Sequence, residues 1–151
     1  MRSSTRESVV ILMADDDEDD RLLARDALAE SHVANELRFV CDGVELMQYL
    51  RREGPFADPA SSPRPGLILL DLNMPRMDGR EALEEIKTNP ELRRIPVVVM
   101  TTSEADEDVA RSYDLGAASF ITKPITFAGL VTVMRGLGAY WIEIVHLPPD
   151  G

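Results

Sequence analysis

LILLDLNMPRMDG, residues 67–79, sets four apolar residues in succession, then an aspartate, then a stretch closed by Asp78-Gly79. Four aliphatic side chains without alternation leave no face for water, so the run predicts a strand over residues 67–70 buried on both sides. Such a strand needs helices above and below it, which is the layering of a parallel sheet joined by helical crossovers. Asp71 then stands where the chain leaves the sheet, and Asp78-Gly79 reads as turn chemistry ahead of a helix.

The same alternation extends in both directions. Residues 9–14 read as a buried strand, and residues 21–30, with Leu22, Leu23, Ala27 and Leu28 at helical spacing, as the helix after it. Residues 37–41 form a short second strand and residues 44–52, with Leu46, Met47 and Leu50, a second helix. A helix over residues 80–88 stops near Asn89-Pro90, because proline cannot extend it and restricts the residue before it. Pro96 opens a strand over residues 97–100, residues 104–115 read as a helix closed by Gly116, residues 118–122 as a fifth strand, and Phe127 begins a last helix. Five strands alternating with five helices, without repeat or linker, make one doubly wound α/β domain whose ligands sit beyond the carboxyl ends of the strands. GPFADPASSPRPG, residues 54–66, reads as a connection only.

At 151 residues, 44% hydrophobic and 28% charged, the chain can bury a core without disulfides or metal staples. No apolar run approaches the roughly 20 residues of a membrane span. Residues 1–8 are polar and charged, read as a frayed end, and give no secretory signal, so a cytoplasmic location is expected. Cys41, the single cysteine, has no internal disulfide partner and reads as a small core residue. Sixteen basic residues against 27 acidic ones give a net charge of −11, which repels a phosphate backbone and argues against nucleic acid. His32 and His146 are too far apart to suggest a zinc site or a Ser-His-Asp triad.

The first strand runs into six acidic residues in ILMADDDEDD, residues 11–20. Two unit charges about 4 Å apart repel by roughly 4 kcal/mol at an effective dielectric near 20, so a compensating group is required. The other strand ends supply candidates: Asp71 after the third, Thr101-Thr102 after the fourth, and Lys123-Pro124, in ITKP, after the fifth. Carboxylates converging beside a lysine and a hydroxyl are the inventory for a hard cation and a phosphoryl group. Asp15, Asp16 and Asp71 are balanced in charge by Mg²⁺ together with Lys123. Asp17, Glu18, Asp19 and Asp20 are favoured at a helix start by the dipole and are assigned to solvent. A calcium loop fails, because its sixth position would be Asp20 rather than Gly and its twelfth Asp26 rather than Glu.

In these residues the chain resembles the receiver domain of bacterial two-component response regulators over nearly its whole length. The resemblance implies a flavodoxin-like (βα)5 fold with strand order 2-1-3-4-5. It makes Asp71 the phosphoacceptor, Asp15 and Asp16 the acidic pair for Mg²⁺, and the Asn73 carbonyl a further metal ligand. Thr101 becomes the switch hydroxyl, Phe120 the switch aromatic and Lys123 the ligand of phosphoryl oxygens, with a cis peptide into Pro124 aiming the lysine. Ser103 and Asn73 stand where the family tunes hydrolysis. The activity implied is that of a signalling receiver that catalyses its own phosphorylation from a phosphohistidine and slow autodephosphorylation. The nearest enzyme alternative, an aspartyl-nucleophile phosphatase, places an aspartate two residues after the nucleophile; here that position is Asn73, which cannot be a general acid. A flavin module would want a phosphate-cradling loop after strand one, where this chain has carboxylates.

The stretches RRIPVVVMTTSEADEDV, RSYDLGA and YWIEIVHLPP look like single-domain receivers that work with phytochrome-type sensor kinases. By that resemblance the partner is a histidine kinase and no output domain is needed; a phosphorelay intermediate or a phosphate sink is the alternative role. Residues 9–139 are read as the receiver and residues 140–151 as an apolar arm. Gly136 and Gly138 weaken the last helix just before Tyr140, Trp141, Ile142, Ile144, Val145 and Leu147. These six offer more apolar surface than an inward stripe can hide, so they are assigned to a homodimer interface, the alternative being a tail that folds back on its own domain.

Overall fold

The computed structural model describes residues 10–31, 36–101, 109, 111, 113–122 and 126–145; the side chains of Ser31, Thr101, Ser119 and residues 137–145 fall outside that description. Strands β1 (Val10–Ala14), β2 (Glu36–Val40), β3 (Leu67–Leu70), β4 (Val97–Thr101) and β5 (Ser119–Thr122) form one parallel sheet in the order β2-β1-β3-β4-β5. Helices α1 (Glu18–Ser31), α2 (Gly43–Arg51), α3 (Gly79–Thr88) and α4 (Phe127–Val145) complete the described elements. Of the helix expected over residues 104–115, Val109, Arg111, Tyr113 and Asp114 are helical, and residues 102–108, 110 and 112 lie outside the described residues.

The absence of alternation in the strands has a direct cause. Leu12, Ala14, Ile68, Leu70, Val97 and Val99 pack on one face with Leu46, Leu50, Leu83 and Ile86 of α2 and α3. Ile11, Met13, Leu67, Leu69, Val98 and Met100 pack on the other with Ala24, Ala27, Leu130 and Met134 of α1 and α4. Each fully buried aliphatic side chain contributes about 1.5–3 kcal/mol relative to exposure, so both layers are needed to hold the sheet. Among the described residues no helix is long and apolar enough to cross a membrane.

Several local expectations shift. Helix α1 opens at Glu18, three residues before the expected start at residue 21, because Glu18, Asp19 and Asp20 suit the positive end of the dipole and occupy its first turn. Cys41 is exposed rather than core: β2 ends at Val40, and the Cys41 amide turns outward to donate to Glu45 Oε1 at 2.6 Å. Residues 54–66 are more than a connection. They hold two short 3₁₀ turns, Gly54–Phe56 and Pro59–Ser61, and fold back on α2. Ser62 is buried with its hydroxyl donating to Phe56 O (2.9 Å), and the Tyr49 hydroxyl donates to Pro63 O (2.7 Å). Helix α4 continues through Gly136 and Gly138 to Val145, so the boundary placed at residue 139 falls inside a helix. Residues 1–8, His32, His146 and the end of the arm with Leu147 lie outside the described residues.

Candidate functional site

Strands β1 and β3 are neighbours, with Ala14 opposite Leu70, so the residues that follow them leave the sheet side by side. The Asp71 amide donates to Ala14 O at 3.0 Å and the Asp15 amide to Val40 O at 3.1 Å, extending the ladder by one bond at each place. Both aspartates are therefore fixed by backbone before their carboxylates do anything. Asp15 is 1% exposed and Asp71 8%, whereas Asp16 stands exposed at the rim.

Each of Asp15, Asp16 and Asp71 presents a carboxylate oxygen, and the three oxygens lie within 4.8 Å of one another. At an effective dielectric near 20, two charges at that separation repel by roughly 3.5 kcal/mol before screening of the exposed member. The donors are all hard oxygens, with no histidine or thiolate among them, which is the ligand type a hard divalent cation such as Mg²⁺ takes. Local bonds orient the set. Asp15 Oδ1 accepts from the Asp17 amide at 2.9 Å, the Arg21 guanidinium donates to Asp15 O at 2.7 Å, and Asp71 Oδ1 accepts from the Asn73 amide at 3.0 Å.

The remaining sequence candidates divide. Asn73 is exposed two residues beyond Asp71. Thr101 is the last residue of β4, opposite Thr122, at the same edge of the sheet. Phe120 lies opposite Val99 and is half-buried against the core on the α2 and α3 face. Lys123, Pro124 and Ser103 lie outside the described residues. Tyr140, Trp141, Ile142, Ile144 and Val145 occupy the last turns of α4, with side chains outside the description.

One contact of the loop after Asp71 escapes sequence reasoning. Asp42 caps α2 by accepting from the Glu45 amide at 2.8 Å, and the same carboxylate takes two bonds from Arg76, Nε to Oδ2 at 2.7 Å and Nη2 to Oδ1 at 3.1 Å. Burial acts to raise the Asp42 carboxyl, but the bonds from Arg76 and from the Glu45 and Val44 amides outweigh it and hold the group below its ordinary value. The Asp42-Gly43 pair before an apolar helical stretch is a legible cap signal. Its partner, 34 residues away, is not.

The response regulator receiver domain family matches residues 11–135. Response regulator Rcp1 of Synechocystis sp. is 44% identical over 139 residues, which is 92% of this chain and 92% of that protein. A Mn²⁺-bound crystal structure of Rcp1 superposes with a TM-score of 0.80, covering 93% of this chain and 99% of that one. The phosphorylated cyanobacterial phytochrome response regulator RcpA is 44% identical, with a TM-score of 0.82 over 93% of this chain and 99% of that one. The bacteriophytochrome response regulator RtBRR is 38% identical, with a TM-score of 0.76 over 95% of this chain and 86% of that one. A parallel sheet in the order 2-1-3-4-5, three aspartates gathered where β1 and β3 end, and this run of relatives agree: the chain belongs to the response regulator receiver domain family, whose members are phosphorylated on an aspartate.

Proposed function

We propose that Asp71 accepts a phosphoryl group from the phosphohistidine of a phytochrome-type histidine kinase and that the chain passes the signal on by protein contact. The observation that carries this reading is the convergence of the Asp15, Asp16 and Asp71 carboxylates at the ends of adjacent strands. An Asp71 carboxylate oxygen attacks phosphorus, the P–N bond to the imidazole breaks, and the departing nitrogen keeps the electron pair and is protonated from solvent. The product is an acyl phosphate on Asp71. Asp15, Asp16, Asp71 and the Asn73 carbonyl are the groups to hold Mg²⁺, which when bound supplies positive charge against the phosphoryl oxygens. Lys123 adds a flexible point charge at the same edge of the sheet, and the Thr101 hydroxyl can donate to a phosphoryl oxygen. Phe120, half-buried beside β4, is the aromatic whose rotation carries the change to the face formed by β5 and its neighbouring helices. Water attack on the acyl phosphate resets the protein.

The phytochrome partner is supported by the likeness to RcpA and RtBRR, and a symmetric homodimer through α4 and the apolar residues at its end completes the reading. The deciding experiment is phosphotransfer from a phosphorylated phytochrome-type kinase in Mg²⁺. Label should appear as an acid-stable, base-labile acyl phosphate in the wild type and be absent from Asp71→Asn. Transfer to Asp71→Asn at the wild-type rate would refute the assignment.

A further inference from the structure

We propose that Arg76 and Asp42 form a positioning pair that holds the loop following Asp71, and with it the main chain at Asn73, in register with the acidic cluster. The inference rests on the reading of that cluster as the phosphoacceptor and Mg²⁺ site. Arg76 has φ +66°, a left-handed backbone for which glycine or asparagine is the steric default. A side chain with a Cβ persists there only where its surroundings fix it, and such residues concentrate at functional sites.

What fixes Arg76 is its two-pronged bond to Asp42 in the turn between β2 and α2. An exposed ion pair contributes little, but here only the arginine is exposed: the Asp42 side chain is 10% accessible and the Arg76 side chain 59%. The planar fork specifies direction as well as charge, which suits it to setting a loop's position. The next residue repeats the contact in backbone. The Gly43 amide donates to Met77 O at 3.1 Å, and a Cβ on Gly43 would stand 2.2 Å from that oxygen. Farther on, the Gly79 amide donates to Leu72 O at 2.8 Å. The loop is thus tied at Asp71 by the sheet, at its middle by Arg76 and Met77, and at its end by Gly79. Asn73 sits in the span between the first two ties, and its amide in turn orients Asp71 Oδ1.

Two variants separate positioning from stability. Arg76→Gly removes the guanidinium but suits the observed φ, so relief of backbone strain offsets part of the lost pairing and the thermal midpoint should fall only slightly; Arg76→Lys keeps the charge and loses the fork. Both are compared with wild type and Asp16→Ala as full chains, by Mg²⁺ titration calorimetry and by hydrogen exchange of the Asn73 and Gly43 amides in metal-free protein. Groups that orient metal ligands typically change affinity by about 10–100-fold, so Arg76→Gly should weaken Mg²⁺ binding about tenfold, with Arg76→Lys between it and wild type. The two amides should exchange faster even without metal. If Asp16→Ala titrates like wild type, the reading of the site fails and the proposal falls with it. If Asp16→Ala loses Mg²⁺ while Arg76→Gly matches wild type in affinity and exchange, the positioning role alone is overturned. An Arg76→Gly chain that melts much earlier with unchanged Mg²⁺ affinity overturns it too.

Discussion

Alanine at Gly79 should damage this protein, although glycine to alanine in a helix is ordinarily stabilising. A Cβ built on Gly79 stands 2.3 Å from Asp71 O and 2.7 Å from Leu72 Cα. Both are main-chain atoms at the proposed phosphoacceptor, held by the Asp71 bond to Ala14 O and by the Gly79 bond to Leu72 O. To reach even the shortest contact a real Cβ tolerates, backbone must move by about 0.7 Å, and forced shifts of this kind cost about 1–3 kcal/mol. Stretching the Gly79 hydrogen bond adds about 1 kcal/mol. Gly79 opens α3, so alanine's propensity advantage of about 1 kcal/mol in a helix interior is only partly realised there. The net expectation is a loss of about 2–3 kcal/mol, or roughly 5–10 °C in thermal midpoint for a domain of this size. Gly136 in α4 is the matched control, since no neighbouring atom of the described residues lies within 4 Å of its Cβ position. There the same substitution should add about 0.5–1 kcal/mol. Urea and thermal unfolding by circular dichroism measure both, at low protein concentration so that association does not enter. A Gly79→Ala protein that melts with wild type, or a Gly136→Ala protein that loses as much as Gly79→Ala, would show that these packing distances do not govern stability.

Asp42→Asn should reveal its cost above the carboxylate range and not below it. The folded group lies under its ordinary value of 3.8, so its stabilisation is fully present above that value and is lost as pH falls through the lower folded value. Urea midpoints of the two proteins should therefore converge as the pH is taken down from about 4, and a constant gap would contradict the pairing. Asp16→Asn should raise metal-free stability by about 0.5–1 kcal/mol, because it relieves repulsion at an exposed position, yet it should forfeit most of the roughly 2.7 kcal/mol that Mg²⁺ at 100-fold its dissociation constant gives wild type. Thermal melts with and without Mg²⁺ test both signs. A chain ending at Ala139 should sediment as a monomer where the full chain dimerises; equal dimerisation would remove residues 140–151 from the interface.

The layering was legible in the sequence because each central strand is apolar throughout. Leu67–Leu70 and Val97–Met100 admit no solvent face, and a sheet covered on both sides follows from that alone. The acidic cluster was legible for a related reason: parallel strands carry their next residues to one edge, so Asp15 and Asp71 meet wherever β1 and β3 are neighbours. Boundaries were harder. The helix start at Glu18 is announced by charge rather than by apolar spacing, so a reading keyed to Leu22 and Leu23 begins too late. Cys41 misled because residue type says little about the first position beyond a strand, where the chain turns outward. Gly136 and Gly138 lower helix propensity, yet Leu130, Val131 and Met134 anchor α4 in the core just before them, and tertiary burial outweighs about 1 kcal/mol per glycine.

What the sequence hides is the geometry of the loop after Asp71. In LILLDLNMPRMDG the arginine at position 76 carries no periodicity, no cap signal and no adjacent acid, so nothing local marks it. Its role exists only once β2 and β3 flank β1, which brings the turn after one strand beside the loop after the other. The left-handed backbone at Arg76 then depends on that tertiary contact, and the contact depends on Gly43 having no Cβ. Arg76, Asp42 and Gly43 are each intelligible only through the other two. Asp71 sits at the base of this arrangement with its amide in the sheet and its carbonyl against Gly79. The nucleophile of the proposed reaction is therefore held by main chain on both sides before any cation or phosphoryl group arrives, and the repulsion of its acidic neighbours is met by a scaffold already fixed by backbone hydrogen bonds.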